Sequence, residues 1–177
     1  MKICIAQLNP IVGDVDGNRL LLEEAVQLAF KDNATLIIFS ELFLVGYPPK
    51  DRQLDLEFKK MVLDAHNKIM SFSLSVPKIG ILFGSLDYLT SRTKEDDSVG
   101  FSQNAVFFTM NGKMEKVSAK TLLPNYDVFD ESRYHYPLDI DKQSSSNILI
   151  HSGKRIGISI CELFLKQEEK IQYFHHE

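Results

Sequence analysis

Apolar and polar positions along this chain switch between two periods, and the switches mark out its elements. Residues 2–8, KICIAQL, read as a strand that is broken by Asn9-Pro10 and Gly13-Asp14. From Asp16 to Asn33 the residues Leu20, Leu21, Ala25, Leu28 and Ala29 fall near helical spacing, with Asp14 or Asp16 as candidate caps. TLIIFSEL, a continuous apolar run, predicts a strand buried on both faces, and it carries Glu41 at its end. The prolines of VGYPPKD then forbid helix and central strand alike. Phe58, Met61, Val62, Ala65, Ile69 and Phe72 predict a second helix over Leu56 to Phe72, and KIGILFGSLDYL a further strand.

The second half of the chain pairs its strands locally. SRTKEDDSVG reads as a polar, mobile insertion. Residues 103–119 predict a hairpin, because Asn111-Gly112 supplies the positive backbone angles of a tight reversal between two apolar runs. That hairpin delivers Lys120, after which TLLPNYDVFDESRYHYP is too polar and broken to form a core element. SNILIHS and RIGISIC are read as two more strands turning at Gly153-Lys154, the second ending on Cys161. The tail from Glu162 shows helical spacing in Leu163, Phe164, Ile171 and Phe174. Strands alternating with helices early and pairing as hairpins late predict a layered α/β architecture.

Composition narrows the function classes. With 177 residues, 44% of them hydrophobic and 25% charged, the chain is long enough for one domain with a proper core. A net charge of -4 provides no basic field for nucleic acid or an anionic membrane. No apolar run is long enough to span a bilayer and MKICIAQLNP has no signal-peptide pattern, so a cytoplasmic location is expected. Two cysteines in that setting predict free thiols, with Cys4 a buried structural residue.

Three strands end in a residue that can do chemistry: Glu41, Lys120 and Cys161. Strand carboxyl ends in α/β proteins tend to face one cleft, so the three can converge. A cysteine nucleophile needs a base for its proton, a positive charge that favours the thiolate, and donors for the oxyanion it creates. Glutamate, lysine and a backbone N–H after the cysteine supply all three. A Cys–His pair using His135 or His151 is the alternative. No metal site is expected: His175-His176-Glu177 would need a third ligand that the sequence does not nominate.

SELFLVGYPPKD, the segment from Lys120 through LLPNYDVFDESRY, and GISICELF resemble the three catalytic blocks of the nitrilase, or carbon–nitrogen hydrolase, superfamily. More narrowly they resemble the glutaminase domain of glutamine-dependent NAD synthetases, through GYPP after the glutamate and LPNY, VFDE and RY after the lysine. The resemblance implies an α-β-β-α sandwich, with Glu41 as general base, Lys120 as oxyanion stabiliser and Cys161 as nucleophile. It also implies that Glu131 holds the lysine and the substrate amide, that Tyr126 lines the glutamine pocket, and that the Glu162 N–H is a second oxyanion donor. Glutamine would be the substrate, with no cofactor in this domain. A synthetase domain using ATP and Mg would accept the ammonia, in an enzyme that is a homo-oligomer when complete.

Leu163 and Phe164 stand where the family has an aspartate and a tryptophan, and Arg52-Gln53 where it tends to continue with leucines. Family members also continue well beyond the nucleophile, so residues 1–177 are expected to form a glutaminase domain that is incomplete at its C-terminal end, without the synthetase domain. Two other readings stay open at this stage. One is a stand-alone amidase acting on another small amide; the other is a non-catalytic interaction module.

Overall fold

The computed structural model of the chain describes residues 1–88, 102–138 and 147–161. The polar insertion at 91–100 and the tail from Glu162 onward, both given elements or properties from sequence, lie outside the described residues.

β1 (Ile3–Ala6), α1 (Val15–Lys31), β2 (Leu36–Phe39), α2 (Leu56–Phe72) and β3 (Gly80–Tyr88) alternate in the first half. The crossovers make β1, β2 and β3 parallel, while β4 (Ser102–Met110) and β5 (Lys113–Ala119) continue the sheet antiparallel. The spatial order is simply β1-β2-β3-β4-β5. Asn111 (φ 49°) and Gly112 (φ 74°) make the two-residue reversal between β4 and β5, as their sequence demands.

Strand periodicity divides the apolar residues between two cores. Ile37, Phe39, Ile81, Phe83, Ala105 and Phe107 belong to the larger one, with α1 and α2. Leu36, Leu82 and Val117 take the other face, joined by Leu149, Ile156 and Ile158 from the last hairpin. That hairpin, β6 (Ile148–His151) and β7 (Lys154–Gly157), forms a separate two-stranded sheet against the five-stranded one. The described residues thus give three layers, helices, sheet and sheet, of the α/β sandwich expected from sequence. Each fully buried Leu, Ile or Phe in these cores contributes about 1.5–3 kcal/mol.

Asp14 caps α1 by accepting from Gly17 N, and Asp55 caps α2 by accepting from Glu57 N. The buried stripe of α1 is Val15, Asn18, Leu22, Val26 and Ala29, not the one expected: Leu20 and Leu28 face solvent. Asn18 explains the rotation. Its amide bonds Ile11 O and Leu44 O and accepts from Ile11 N, which ties the helix to two loops through a polar residue that a hydrophobic count ignores. In α2 Met61 is likewise exposed, while His66 is buried.

Two further expectations are corrected at the end of the chain. The reversal between β6 and β7 uses Ser152 (φ 50°) and Gly153 (φ 70°), so it lies one residue earlier than Gly153-Lys154. β7 stops at Gly157, and Cys161 sits in a turn beyond it, not on the strand. Ile158 N still donates to Asn147 O, the last hydrogen bond of the hairpin among the described residues. Among the described residues no helix is long and apolar enough to cross a membrane.

Candidate active site

The turn after β2 is built to hold Glu41 against the sheet. Gly84 on β3 makes this possible: a Cβ there would lie 2.3 Å from Leu42 N and 2.6 Å from Ser40 O. Leu44 N and Gly84 O are hydrogen-bonded at 3.1 Å across this contact, and Leu42 takes a left-handed φ of 49° to enter it. Val45 N and Gly46 N both return to Leu42 O and close the turn.

Lys120 leaves the end of β5 with its backbone N–H on Asn104 O at 2.7 Å. Its side chain is completely buried, and its ammonium meets Glu41 Oε1 at 3.0 Å and Glu131 Oε1 at 2.9 Å. Glu131 comes from the segment after Lys120, which sequence dismissed as too broken for the core. Irregular it is, apart from a 3-10 turn at Glu131–Arg133, yet it buries Glu131 and His135. Ser102 N donates to Tyr134 O and Tyr136 N to Ser102 O, so the segment docks on the start of β4. A buried cation costs several kcal/mol unless paired, and here two carboxylates pair it. Burial opposes the charge of Lys120, but the hydrogen bond with Glu131 and the charge of Glu41 outweigh it and push the ammonium pKa up.

Two residues that sequence reasoning did not nominate complete the cluster. Asn104 Nδ2 donates to Glu41 Oε1 at 2.6 Å, and Tyr47 OH donates to Glu131 Oε1 at 2.9 Å. Tyr47 belongs to the GYPP turn, where the prolines, not the phenol, carry the signal in sequence. Burial first, then the hydrogen bond and charge of Glu131, push the Tyr47 hydroxyl pKa far up, so it remains a donor.

Cys161 reaches the same place from the other sheet. It is exposed, is not in a disulfide, and has a left-handed φ of 43°. Such a backbone is uncommon for a residue with a Cβ and concentrates at functional sites. Cys161 and Glu41 line one cavity of about 350 Å3 between the two sheets, with Leu82, Val106, Ile158 and Ile160 among its walls. A second cavity, about 330 Å3, is lined by Tyr47, Glu131 and His135. The buried Glu131 Oε2 has no hydrogen-bond partner among the described residues.

Glu41, Lys120, Glu131 and Cys161 therefore gather at one end of the sheets. Tyr126 lies on the exposed part of the 121–137 segment with its ring 5.6 Å from that of Phe129, and it borders neither cavity. Glu162 lies outside the described residues. Among the described residues, no histidine joins the cluster as an ion-pair partner. His135 Nδ1 faces Ser102 Oγ at 3.2 Å, and burial brings its pKa down to about 4, while His151 Nε2 meets Thr35 O.

Residues 2–163 match the family described as carbon-nitrogen hydrolase. The chain is 33% identical over 165 residues to the glutamine-dependent NAD(+) synthetase of Thermotoga maritima, covering 92% of this chain and 25% of that protein. It is also 33% identical over 161 residues to the enzyme of the same name from Acinetobacter baylyi, covering 91% of this chain and 27% of that protein. The chain thus spans about a quarter of the length of these relatives. Among solved structures, glutamine-dependent NAD+ synthetase from Acinetobacter baumannii, in complex with ADP, superposes with a TM-score of 0.79 at 27% identity, over 97% of this chain and 29% of that one. An amidase from Nesterenkonia sp. shares the fold, with a TM-score of 0.69 at 17% identity over 91% of this chain and 55% of that one.

Proposed function

The chain belongs to the carbon-nitrogen hydrolase family, and from that premise we propose that it hydrolyses the side-chain amide of glutamine and supplies ammonia to an NAD-forming synthetase. The observation that carries the reading is the buried Lys120 between Glu41 and Glu131, with Glu41 and Cys161 on the wall of one cavity. Amide hydrolysis by a cysteine nucleophile is served by this arrangement, because a thiol, a base for its proton and a fixed positive charge for the oxyanion must converge on one amide.

Glu41 takes the Cys161 thiol proton as sulfur attacks the carboxamide carbon, and Lys120 stabilises the negative oxygen that forms. Glu41 returns that proton to the nitrogen as the C–N bond breaks, which releases ammonia and leaves a glutamyl thioester on Cys161. Glu41 then takes a proton from water, whose hydroxide attacks the thioester, and the proton returns to the departing sulfur. Glu131 holds Lys120 in place and offers Oε2 to the substrate N–H. By the resemblance Tyr126, exposed on the 121–137 segment and outside both cavities, would line the glutamine pocket, and Glu162 N–H would serve the oxyanion. The hydrolytic steps use side chains and water; ATP and magnesium belong to the synthetase domain that receives the ammonia, in a complete enzyme that is a homo-oligomer.

Ammonia release by the purified 177-residue chain from glutamine, asparagine and small aliphatic amides, with and without a synthetase partner, tests the substrate. Glutamine is expected to be turned over fastest. Preference for a small aliphatic amide would move the reading to a stand-alone amidase, and release from none of them would remove the catalytic reading of this chain.

A further inference from the structure

Asn104 sits on β4 with 1% of its surface exposed, between the two residues that the proposed chemistry uses most. Its side-chain Nδ2 donates to Glu41 Oε1 at 2.6 Å, and its backbone carbonyl accepts from Lys120 N at 2.7 Å. Glu41 Oε1 also receives Lys120 Nζ at 3.0 Å, so both described hydrogen bonds of this carboxylate fall on one oxygen. The other end of the Asn104 amide, Oδ1, is buried with no hydrogen-bond partner among the described residues. An amide rotated by half a turn would set Oδ1 against an ionised carboxylate oxygen, acceptor against acceptor. A buried amide that leaves one end unpaired to keep its donor on Glu41 is costly for stability and serves the carboxylate.

We propose that Asn104 is a positioning residue for the base: it holds Glu41 with Oε1 saturated, so that Oε2 is the oxygen that exchanges the proton with Cys161. The proposal rests on the reading of Glu41 as general base. Without the Asn104 donor Oε1 is no longer held and the carboxylate can turn its oxygens away from Cys161, so the thiol loses its positioned base. The other groups around Glu41 are Lys120 from the end of β5, Tyr47 from the turn after β2, His135 from the segment after Lys120, Glu131 through Lys120, and Cys161 across the cavity. Lys120 and Tyr47 keep their protons through neutral pH, and His135, with its pKa lowered by burial to about 4, is uncharged there.

The test is the rate at which iodoacetamide alkylates Cys161 as a function of pH, resolved from Cys4 by peptide mass spectrometry, in the unaltered chain, Asn104→Leu and Asn104→Asp. Leucine removes the donor at similar size; aspartate keeps the shape and adds a like charge. The acid limb of the Cys161 profile is expected to move up by about one pH unit in Asn104→Leu and further in Asn104→Asp. Profiles that superpose on that of the unaltered chain would overturn the proposal while leaving Glu41 as the base. A Cys161 in the unaltered chain that reacts no faster than Cys4 would instead remove the underlying reading, and the proposal with it. Should neither variant fold, the side-chain amide protons of Asn104 in the unaltered chain decide: they shift with the titration of Glu41 and lose that shift in Glu41→Gln if the proposal holds, and are indifferent to pH if it does not.

Discussion

Lys120 Nζ lies 3.0 Å from Glu41 Oε1 across 79 positions of sequence, and the ammonium is buried where the carboxylate is a quarter exposed. The asymmetry suits a division of labour. The cation is fixed and dry, where its field is strongest, while the carboxylate keeps a side open to the cavity that Cys161 lines.

Replacing Lys120 by methionine leaves Glu41 and Glu131 facing one another without a cation. A loss of about 3–5 kcal/mol is expected from the urea midpoint at neutral pH, because the buried Glu131 carboxylate loses its cation and faces the Glu41 carboxylate. Adding Glu131→Gln should recover part of the stability but none of the hydrolysis.

Gly84→Ala drives a methyl group into the backbone of the turn, 2.3 Å from Leu42 N and 2.8 Å from the carbonyl carbon of Glu41. Neither neighbour is a flexible side-chain end. Thermal unfolding should show a loss of about 1–3 kcal/mol, and ammonia release should fall more steeply than stability because Glu41 is displaced.

Cys161 should react with iodoacetamide faster than Cys4, since it is exposed and Lys120 lies within the same cluster, whereas Cys4 packs against the larger core. Peptide mapping after brief labelling of folded protein reads this directly. Equal labelling would count against a formed site.

His66 is buried in α2 with Nε2 2.8 Å from Ser85 Oγ, and burial lowers its pKa to about 4. The unfolded chain therefore binds a proton at a higher pH than the folded one does. The stability this represents is complete above about pH 6.5 and is lost as pH falls towards 4, amounting to about 3 kcal/mol. Urea unfolding at pH 7 and pH 4.5 should show the loss, and His66→Gln should reduce its pH dependence. His135, lowered for the same principal reason, adds to the slope and should leave a residual dependence in that variant.

Much of this fold was legible because strands β2 and β3 are largely apolar runs and the β4–β5 reversal uses Asn-Gly. The β4–β5 reversal at Asn111-Gly112 and the span of α2 follow from local chemistry alone. The stripe of α1 was misread because Asn18 turns inward to satisfy loop carbonyls, a tertiary demand that periodicity does not record. The convergence of Glu41, Lys120 and Cys161 on one candidate site was legible, since all three follow strand-like runs. Asn104 and Tyr47 were not, since a polar residue inside a strand and a phenol in a proline turn announce nothing until the chain brings them to Glu41 and Glu131. Cys161 was expected at a strand end and stands in a turn past it, because the ladder with β6 ends at Gly157.

The most direct test of the account is ammonia release from glutamine by the purified chain and by Cys161→Ala, measured side by side. The account predicts release by the unaltered chain and none above background from the variant. Equal rates from the two proteins would contradict it.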